Sequence, residues 1–362
     1  MGSQSTRGLD DATNSDGATE DGPDVKHLTL AELDRQWSEF ERAVDRTPEI
    51  DRWCSGLDWV LPVHAGFGPG AKAEPLVLTD GSGWAVLARY RLGGGRRVIA
   101  GLEPLWGFAS PLVGPDPGAL ADRVARVLAA EPWDQLVLPG MPELVSDASF
   151  PMRVATALAQ LGPVGMGAGI VRQVADLDGG YEPWWARRSP RFRRNLSQAG
   201  RRAESAGLEV EDASNDPGVF ERIVAVERRS WKGRDDTGIT APEMLVTYRA
   251  MTARLQARGR LRVLLARRGG ADVGYILGGV RAGIYRGLQL SYAREAAELS
   301  VGHLLQHHQL RALCRHGEAT TYDLGMDLGY KARWADRAVP TFTLVVNRPR
   351  RRRHARPTQG SR

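Results

Sequence analysis

Between Asp216 and Val346 the hydrophobic period of the chain changes from helical to alternating and back in one fixed order. Asp216-Pro217 has the chemistry of a helix start, with Asp as cap and Pro where a missing N–H costs nothing. Phe220, Ile223, Val224 and Glu227 follow at helical spacing. Thr240 to Glu243 has the spacing of a capping box, which predicts a second helix ending near Gly259. Three strands are then expected, at Leu261–Ala266, Val273–Val280 and Ile284–Ser291, joined by Gly-rich turns. A helix from Ser300 or Gly302 to His316, a strand running into Asp323 and a strand at Phe342–Val346 complete the series. Two helices, a three-strand meander, a helix and a strand define a mixed α/β (α+β) layer and leave few alternatives.

Motifs sit at the joints of that series. Arg193-Arg194-Asn195-Leu196 and Ala206-Gly207-Leu208 precede it. Glu227 with Ser230-Trp231-Lys232-Gly233 ends its first helix, and Asp323-Leu-Gly325 with Tyr330-Lys331-Ala-Arg333-Trp334 surrounds its last strand-to-turn junction. The element order resembles the core of the GNAT acyltransferase superfamily. The motifs resemble its CelD-type (cellulose-biosynthesis) acetyltransferase-like subfamily and, more distantly, the Fem peptidyltransferases. The resemblance implies an N-acyltransferase that moves an acyl group from a thioester donor to the amine of a sugar, peptide or small molecule by direct attack. Acyl-CoA is the implied co-substrate, with an acyl carrier protein as the alternative donor. A Fem-like aminoacyl-tRNA-dependent transferase and a non-catalytic GNAT-fold binding module are the competing functions.

The N-terminal half has a rhythm of its own. Thr29 to Glu32 is a capping box opening an amphipathic helix to Val44. Strands are expected at Pro75–Thr79, Gly83–Arg91, Arg96–Ala100, Gln135–Leu138 and Val171–Leu177, with helices at Ala119–Ala130 and Met152–Leu161. This order echoes the second half. It predicts tandem GNAT-like domains, a degenerate one over 27–178 and a complete one over 179–346. Residues 1–26, with Asp10, Asp11, Asp16, Glu20, Asp21 and Asp24, read as a disordered acidic tail. Met1 to Thr6 matches a myristoylation pattern, although a polar start that happens to contain Gly2 satisfies it equally.

The net charge of +6 suggests a nucleic-acid partner, but it is concentrated at one end. Residues 347–362 carry Arg348, Arg350, Arg351, Arg352, Arg353, Arg356 and Arg362 and no acid, which reads as a solvated, disordered Arg-rich tail. No aromatic residues interleave with it, so base stacking is not expected there. Arg187, Arg188, Arg191, Arg193, Arg194, Arg201 and Arg202 form a second cluster, readable as a solvated helix or as a cationic wall for a phosphate-bearing substrate. No apolar run approaches the about 18 residues of a membrane span. Cys54 and Cys314 lie outside any motif and read as free thiols of a cytoplasmic protein.

Direct acyl transfer needs a cradle for the donor, a way to deprotonate the amine, and a proton for the leaving thiolate. Within the resemblance the donor falls to Leu290 and Ser291 at the last meander strand and to Ser300, Val301, Gly302 and His303 at the next helix start, where free N–H groups favour phosphate. The usual basic and small residues of that loop are absent: Glu298 and His303 stand there instead. Glu227 and Asp323 are the candidate bases, each with an ion pair to a neighbouring Arg as its competing role. Tyr330 is the candidate acid for the thiolate. Trp231, Lys232, Lys331 and Trp334 are the candidate substrate-binding residues, the two tryptophans having packing as the alternative. His303 and His307 lie four apart without the carboxylate of a zinc motif, so no metal is expected.

Overall fold

A computed structural model describes residues 25–144, 146, 148–234 and 237–349. The acidic stretch 1–24, with its Gly2 pattern, and the arginine run 350–362 lie outside the described residues. The first half runs β1 (Lys26–Leu28), α1 (Leu30–Arg35), α2 (Trp37–Arg46), α3 (Leu57–Phe67), β2 (Glu74–Thr79), β3 (Trp84–Arg91) and β4 (Arg97–Gly101). It continues with β5 (Leu112–Val113), α4 (Pro117–Ala130), β6 (Gln135–Met141), α5 (Phe150–Leu158) and β7 (Val164–Asp176). The second half runs α6 (Tyr181–Ala186), α7 (Pro190–Ser205), β8 (Leu208–Asp212), α8 (Val219–Arg229), α9 (Trp231–Arg234) and α10 (Pro242–Ala257). The meander β9 (Leu261–Arg268), β10 (Ala271–Arg281) and β11 (Ile284–Tyr292) follows, then α11 (Val301–His316), β12 (Thr321–Met326) and β13 (Arg337–Asn347).

The thirteen strands of the described residues belong to one sheet, in the order β1-β2-β3-β4-β6-β13-β7-β12-β11-β10-β9-β8, with β5 paired to β3. The two halves follow the same plan. Three antiparallel strands, β2-β3-β4 or β9-β10-β11, are followed by a parallel neighbour, β6 or β12. A helix, α4 or α11, crosses over between them, as parallel pairing requires. Each half then takes a strand from the other: β13 pairs with β6, β7 pairs with β12, and β7 and β13 pair with each other. This reciprocal exchange makes the sheet continuous.

Local sequence explains most elements. The Thr29–Glu32 capping box forms as expected, and Ser189 caps α7 through the Phe192 N–H with Pro190 in the first turn. The strands β7 and β13 begin earlier than expected, at Val164 and Arg337, and three helix bounds also differ. The first helix is interrupted at Gln36. The helix expected at Asp216-Pro217 begins at Val219, because the Asp216 carboxylate turns back to the Gly218 N–H at 2.8 Å. Thr240 does not cap α10; Ala241 holds that position, and the buried Thr240 hydroxyl has no partner.

The halves also meet through their helices. A Cβ on Gly66 of α3 would lie 2.4 Å from the Glu243 carbonyl oxygen of α10, so only glycine permits that approach. Around it, Arg254 pairs with Asp34 and Asp58, and the buried Arg281 guanidinium reaches Glu41 at 2.7 Å. The main core runs from α2 and α3 through β2–β6 to α8, α10 and β13. A second core stacks Trp184 on Trp334 beneath α11, and a third packs Ile276 and Leu264 under Val301 and Leu305.

Candidate functional site

Parallel pairing between β11 and β12 covers only Ile284–Thr321, Tyr285–Tyr322 and Arg286–Asp323. Beyond that third rung the strands separate, and a pocket of about 260 Å³ opens between them. Leu288 and Leu290 of β11, Leu324 of β12, Gln306 of α11 and the Tyr330-Lys331 corner line one side. Trp59, Trp106 and Phe108 from the first half line another. A separate cleft of about 970 Å³ lies on the far side of the 329–333 turn, between α7 and the start of α11. Gln306 and Lys331 face the pocket, whereas Ser300, His303 and Arg333 face the cleft, so α11 and the turn border both spaces.

The cleft is basic. Arg191 and Arg202 lie on one face of α7, and Arg333 closes the opposite wall. Arg187 and Arg188 also border it, both tied to Asp336. Among the described residues no carboxylate pairs with Arg191, Arg202 or Arg333. Ser300 adopts a left-handed conformation (φ 56°) at the start of α11, and no side chain caps that helix. Its first N–H groups therefore add a partial positive charge at the cleft mouth. His303 stacks on Trp334 with ring centres 6.0 Å apart, and partial burial followed by the Arg333 charge holds its imidazole below the usual value.

The pocket floor is a buried charge cluster. The Arg286 guanidinium donates to Asp323 at 2.9 Å and to Asp51 at 3.1 Å, and Arg172 of β7 pairs with the same two carboxylates. All four side chains are almost fully buried. The other Asp323 oxygen accepts the Gly325 N–H at 2.7 Å, just where β12 leaves β11. Burial opposes the Asp51 charge, but Arg172 and Arg286 outweigh it and hold this carboxyl below its usual value.

Two lysines stand above this floor. Lys232 donates to the Leu290 carbonyl at 2.9 Å and to Gln289 Oε1 at 3.2 Å; burial lowers its pKa and the more distant Glu227 partly restores it. Lys331 donates to the Met326 carbonyl at 3.0 Å, and burial followed by the Arg286 charge pushes its ammonium down to about 8. Tyr330 is half-exposed beside it, and burial raises its phenol. Among the described residues, no carboxylate lines the pocket.

The residues singled out from sequence fall into three groups. Leu290, Lys232, Tyr330 and Lys331 meet at the pocket; Ser300, His303 and Trp334 meet at the cleft. Val301 and Ser291 are buried, the Ser291 hydroxyl without a partner, and the missing Cβ of Gly302 faces Leu290 and Tyr292 of β11. Trp231 is 55% exposed outside both spaces. Glu227 is fully buried, accepting from Ser230 Oγ at 3.2 Å and from the Ile239 N–H at 3.1 Å. Trp334 is 1% exposed and belongs mainly to the core. Sequence reading did not single out Gln306, whose buried amide nitrogen has no partner, or Arg286, Trp106 and Phe108. Arg286 carried one signal, the single charge within β11. The aromatic wall carried none, because it comes from the other half.

Residues 190–332 match the family model of an acetyltransferase (GNAT) domain. A search of the curated proteins by sequence finds no match. Among solved structures, FemX superposes with a TM-score of 0.61 at 13% identity, covering 88% of this chain and 96% of FemX. A conserved protein of unknown function from Bacteroides thetaiotaomicron gives 0.58 at 10% identity, covering 89% and 99%. The C-terminal domain of a proposed lysylphosphatidylglycerol synthetase from Agrobacterium fabrum gives 0.52 at 13% identity, covering 86% and 92%. The fold is mixed α/β, and the stretch that matches the acetyltransferase (GNAT) domain model lies in the second half. No described helix is long and apolar enough to cross a membrane.

Proposed function

We propose that this chain is an N-acyltransferase in which an acyl-CoA lies with its phosphates in the basic cleft and its thioester in the pocket where β11 and β12 part. The carrying observation is the adjacency of those two spaces across α11 and the 329–333 turn. A pantetheine-like arm passing between them meets the unpartnered Gln306 amide, and Arg191, Arg202 and Arg333 supply cations for phosphate. The motif order, read with the matched domain, favours the CelD-like branch of the superfamily. The free thiols Cys54 and Cys314 suit a reducing cytoplasm.

In this reading the amine nitrogen attacks the thioester carbonyl, the C–S bond breaks, and the thiolate takes a proton from Tyr330, whose phenol is restored by a proton from solvent. Lys331 stabilises the oxyanion of the tetrahedral intermediate. Cations around the pocket disfavour an ammonium, so the acceptor reacts as the free amine and gives its second proton to solvent. Asp323 and Glu227 act as positioning groups. Asp323 fixes Arg286 and the parting of the strands, and Glu227 fixes the α8–α9 corner that carries Lys232.

The test is release of free thiol from acetyl-CoA and longer acyl-CoA over a panel of amines, with products identified by mass spectrometry. The arginine-lined cleft equally suits the acceptor stem of a charged tRNA, which the likeness to FemX in fold makes worth an arm of its own. Ribonuclease-sensitive transfer without thiol release would replace the acyl-CoA reading by that one. Binding of CoA without turnover of any thioester would instead indicate a binding module.

A further inference from the structure

The pocket has two unlike walls. On the donor side stand Gln306, Tyr330 and Lys331; opposite them are rings that the first half contributes. Trp59 of α3 packs against Trp106 at 5.0 Å and against Phe108 at 6.1 Å between ring centres. Trp106 and Phe108 belong to the segment linking β4 to β5, which is wrapped around its own Glu103. That buried carboxylate accepts the N–H groups of Gly107 at 2.9 Å, Phe108 at 3.0 Å and Ala109 at 3.2 Å, together with that of Trp106. In the plan shared by the halves, this segment follows β4 as the 293–300 segment follows β11. The helix start that corresponds to that of α11 is the start of α4, where the Asp116 carboxylate accepts the Ala119 N–H, whereas no side chain caps α11. Four N–H groups on one buried acceptor make the loop rigid, and its rings are a preformed surface rather than a flap.

Charge gives the second constraint. Of the three cations at the pocket, Arg286 is matched by Asp51 and Asp323. Among the described residues, Lys232 and Lys331 have only neutral acceptors: the Leu290 carbonyl and Gln289 for one, the Met326 carbonyl for the other. Glu227 lies behind Lys232, and Asp323 and Asp327 lie nearest Lys331, yet no ion pair joins them among the described residues. A partly buried ammonium without a counter-charge gains most from a ligand anion, since charge-assisted hydrogen bonds are about twice as strong as neutral ones. In the proposed reaction Lys331 faces the developing oxyanion, which leaves Lys232 for a charge that the acceptor itself carries.

We propose that the acceptor is a small amine that also bears a carboxylate and an aromatic body. The carboxylate pairs with Lys232, the ring packs against Trp106 and Phe108, and the amine points toward the Tyr330-Lys331 corner. This substrate class rests on the reading of the pocket as an acceptor site, and its test separates the two.

N-acetyl-L-phenylalanine, its methyl ester and N-acetylglycine are titrated by calorimetry against the full chain, with CoA titrated in parallel. N-acetyl-L-phenylalanine should bind at least tenfold more tightly than either of the others. Lys232→Met should abolish the difference between acid and ester while retaining the preference for the ring. Trp106→Leu should do the reverse, and a milder change than Trp106→Ala keeps the loop folded. Equal binding of acid and ester, equal binding of N-acetylglycine, or binding of none of the three overturns the proposal. CoA binding reports separately on the donor: acid and ester alike with CoA bound sinks the substrate class alone, and discrimination without CoA binding sinks the donor reading alone.

Discussion

Arg286 and Asp323 are register partners on the last rung of parallel pairing between β11 and β12, and their side chains meet at 2.9 Å beneath the point where the strands part. The same guanidinium reaches Asp51, which belongs to the loop before α3 in the other half. One buried charge cluster thus holds open the pocket and fastens the halves together.

Asp323→Asn should therefore be felt first as lost stability. Arg172 and Arg286 would be left with Asp51 alone, and breaking a buried ion pair from one side costs about 3–5 kcal/mol. Denaturant unfolding at neutral pH should show a loss of at least about 3 kcal/mol. Asp51→Asn should behave alike, and the double variant should lose more than the sum, because it leaves both buried guanidiniums without a counter-charge. Additive losses would mean that the two carboxylates act independently.

Lys331→Met should slow turnover by about 10²-fold with little change in CoA affinity, as removal of one oxyanion donor does. The pH profile carries the sharper signature. The ammonium sits at about 8, so wild-type turnover should fall as pH rises above that value. The variant should lack this limb. Because the native state binds the Lys331 proton more weakly than the unfolded chain, Met at this site should leave stability at pH 7 unchanged or improved. A persisting alkaline limb would assign the titration to another group.

Arg191→Ala and Arg202→Ala should each weaken CoA binding about tenfold, the size of one charge-assisted hydrogen bond. Both losses should shrink as salt is raised from 0.05 to about 0.5 M, a range in which screening becomes strong. Calorimetric titration of CoA decides the matter. Unchanged affinity in both variants would move the phosphates to another surface.

His307 predicts an acid limb of stability. Its ring stacks on Trp185 at 5.3 Å and meets the Tyr181 hydroxyl at 2.8 Å, and burial, then the His308 and Arg311 charges, push its imidazole down to about 4. Between the ordinary value near 6.5 and about 4 the unfolded chain binds the proton and the native state does not, so stability is lost as pH falls through that window. The loss at pH 4 should be about 3 kcal/mol at most, and His307→Leu should flatten it. A parallel acid limb in the variant would place the effect elsewhere.

The meander and α11 were legible because their information is local: alternation for β9–β11, helical spacing and a Gly317 stop for α11. Glycines at 165, 167 and 169 diluted the pattern of β7, so only its last residues were read as strand. The helix α3 escaped notice because Pro62 lies inside it and its apolar residues show little facing preference. The Thr240–Glu243 spacing misled because tertiary packing set the entry to α10 one residue later. At the site, the Tyr330-Lys331 motif and Lys232 were visible as sequence, whereas their company was not: Gln306 shows nothing beyond an ordinary helix position, and Trp106 gains its meaning only when the other half arrives.

The exchange of β7 and β13 has a consequence for biosynthesis. The strand that closes the first half's sheet between β6 and β7 comes after every other described strand in the chain, at Arg337–Asn347. A ribosome-bound chain lacking it would present the open edges of β6 and β7 to any passing strand until Arg337–Asn347 has been made. The halves cannot mature one after the other. A stop codon a few residues ahead of Arg337 would spoil the amino-terminal half as thoroughly as the carboxy-terminal one.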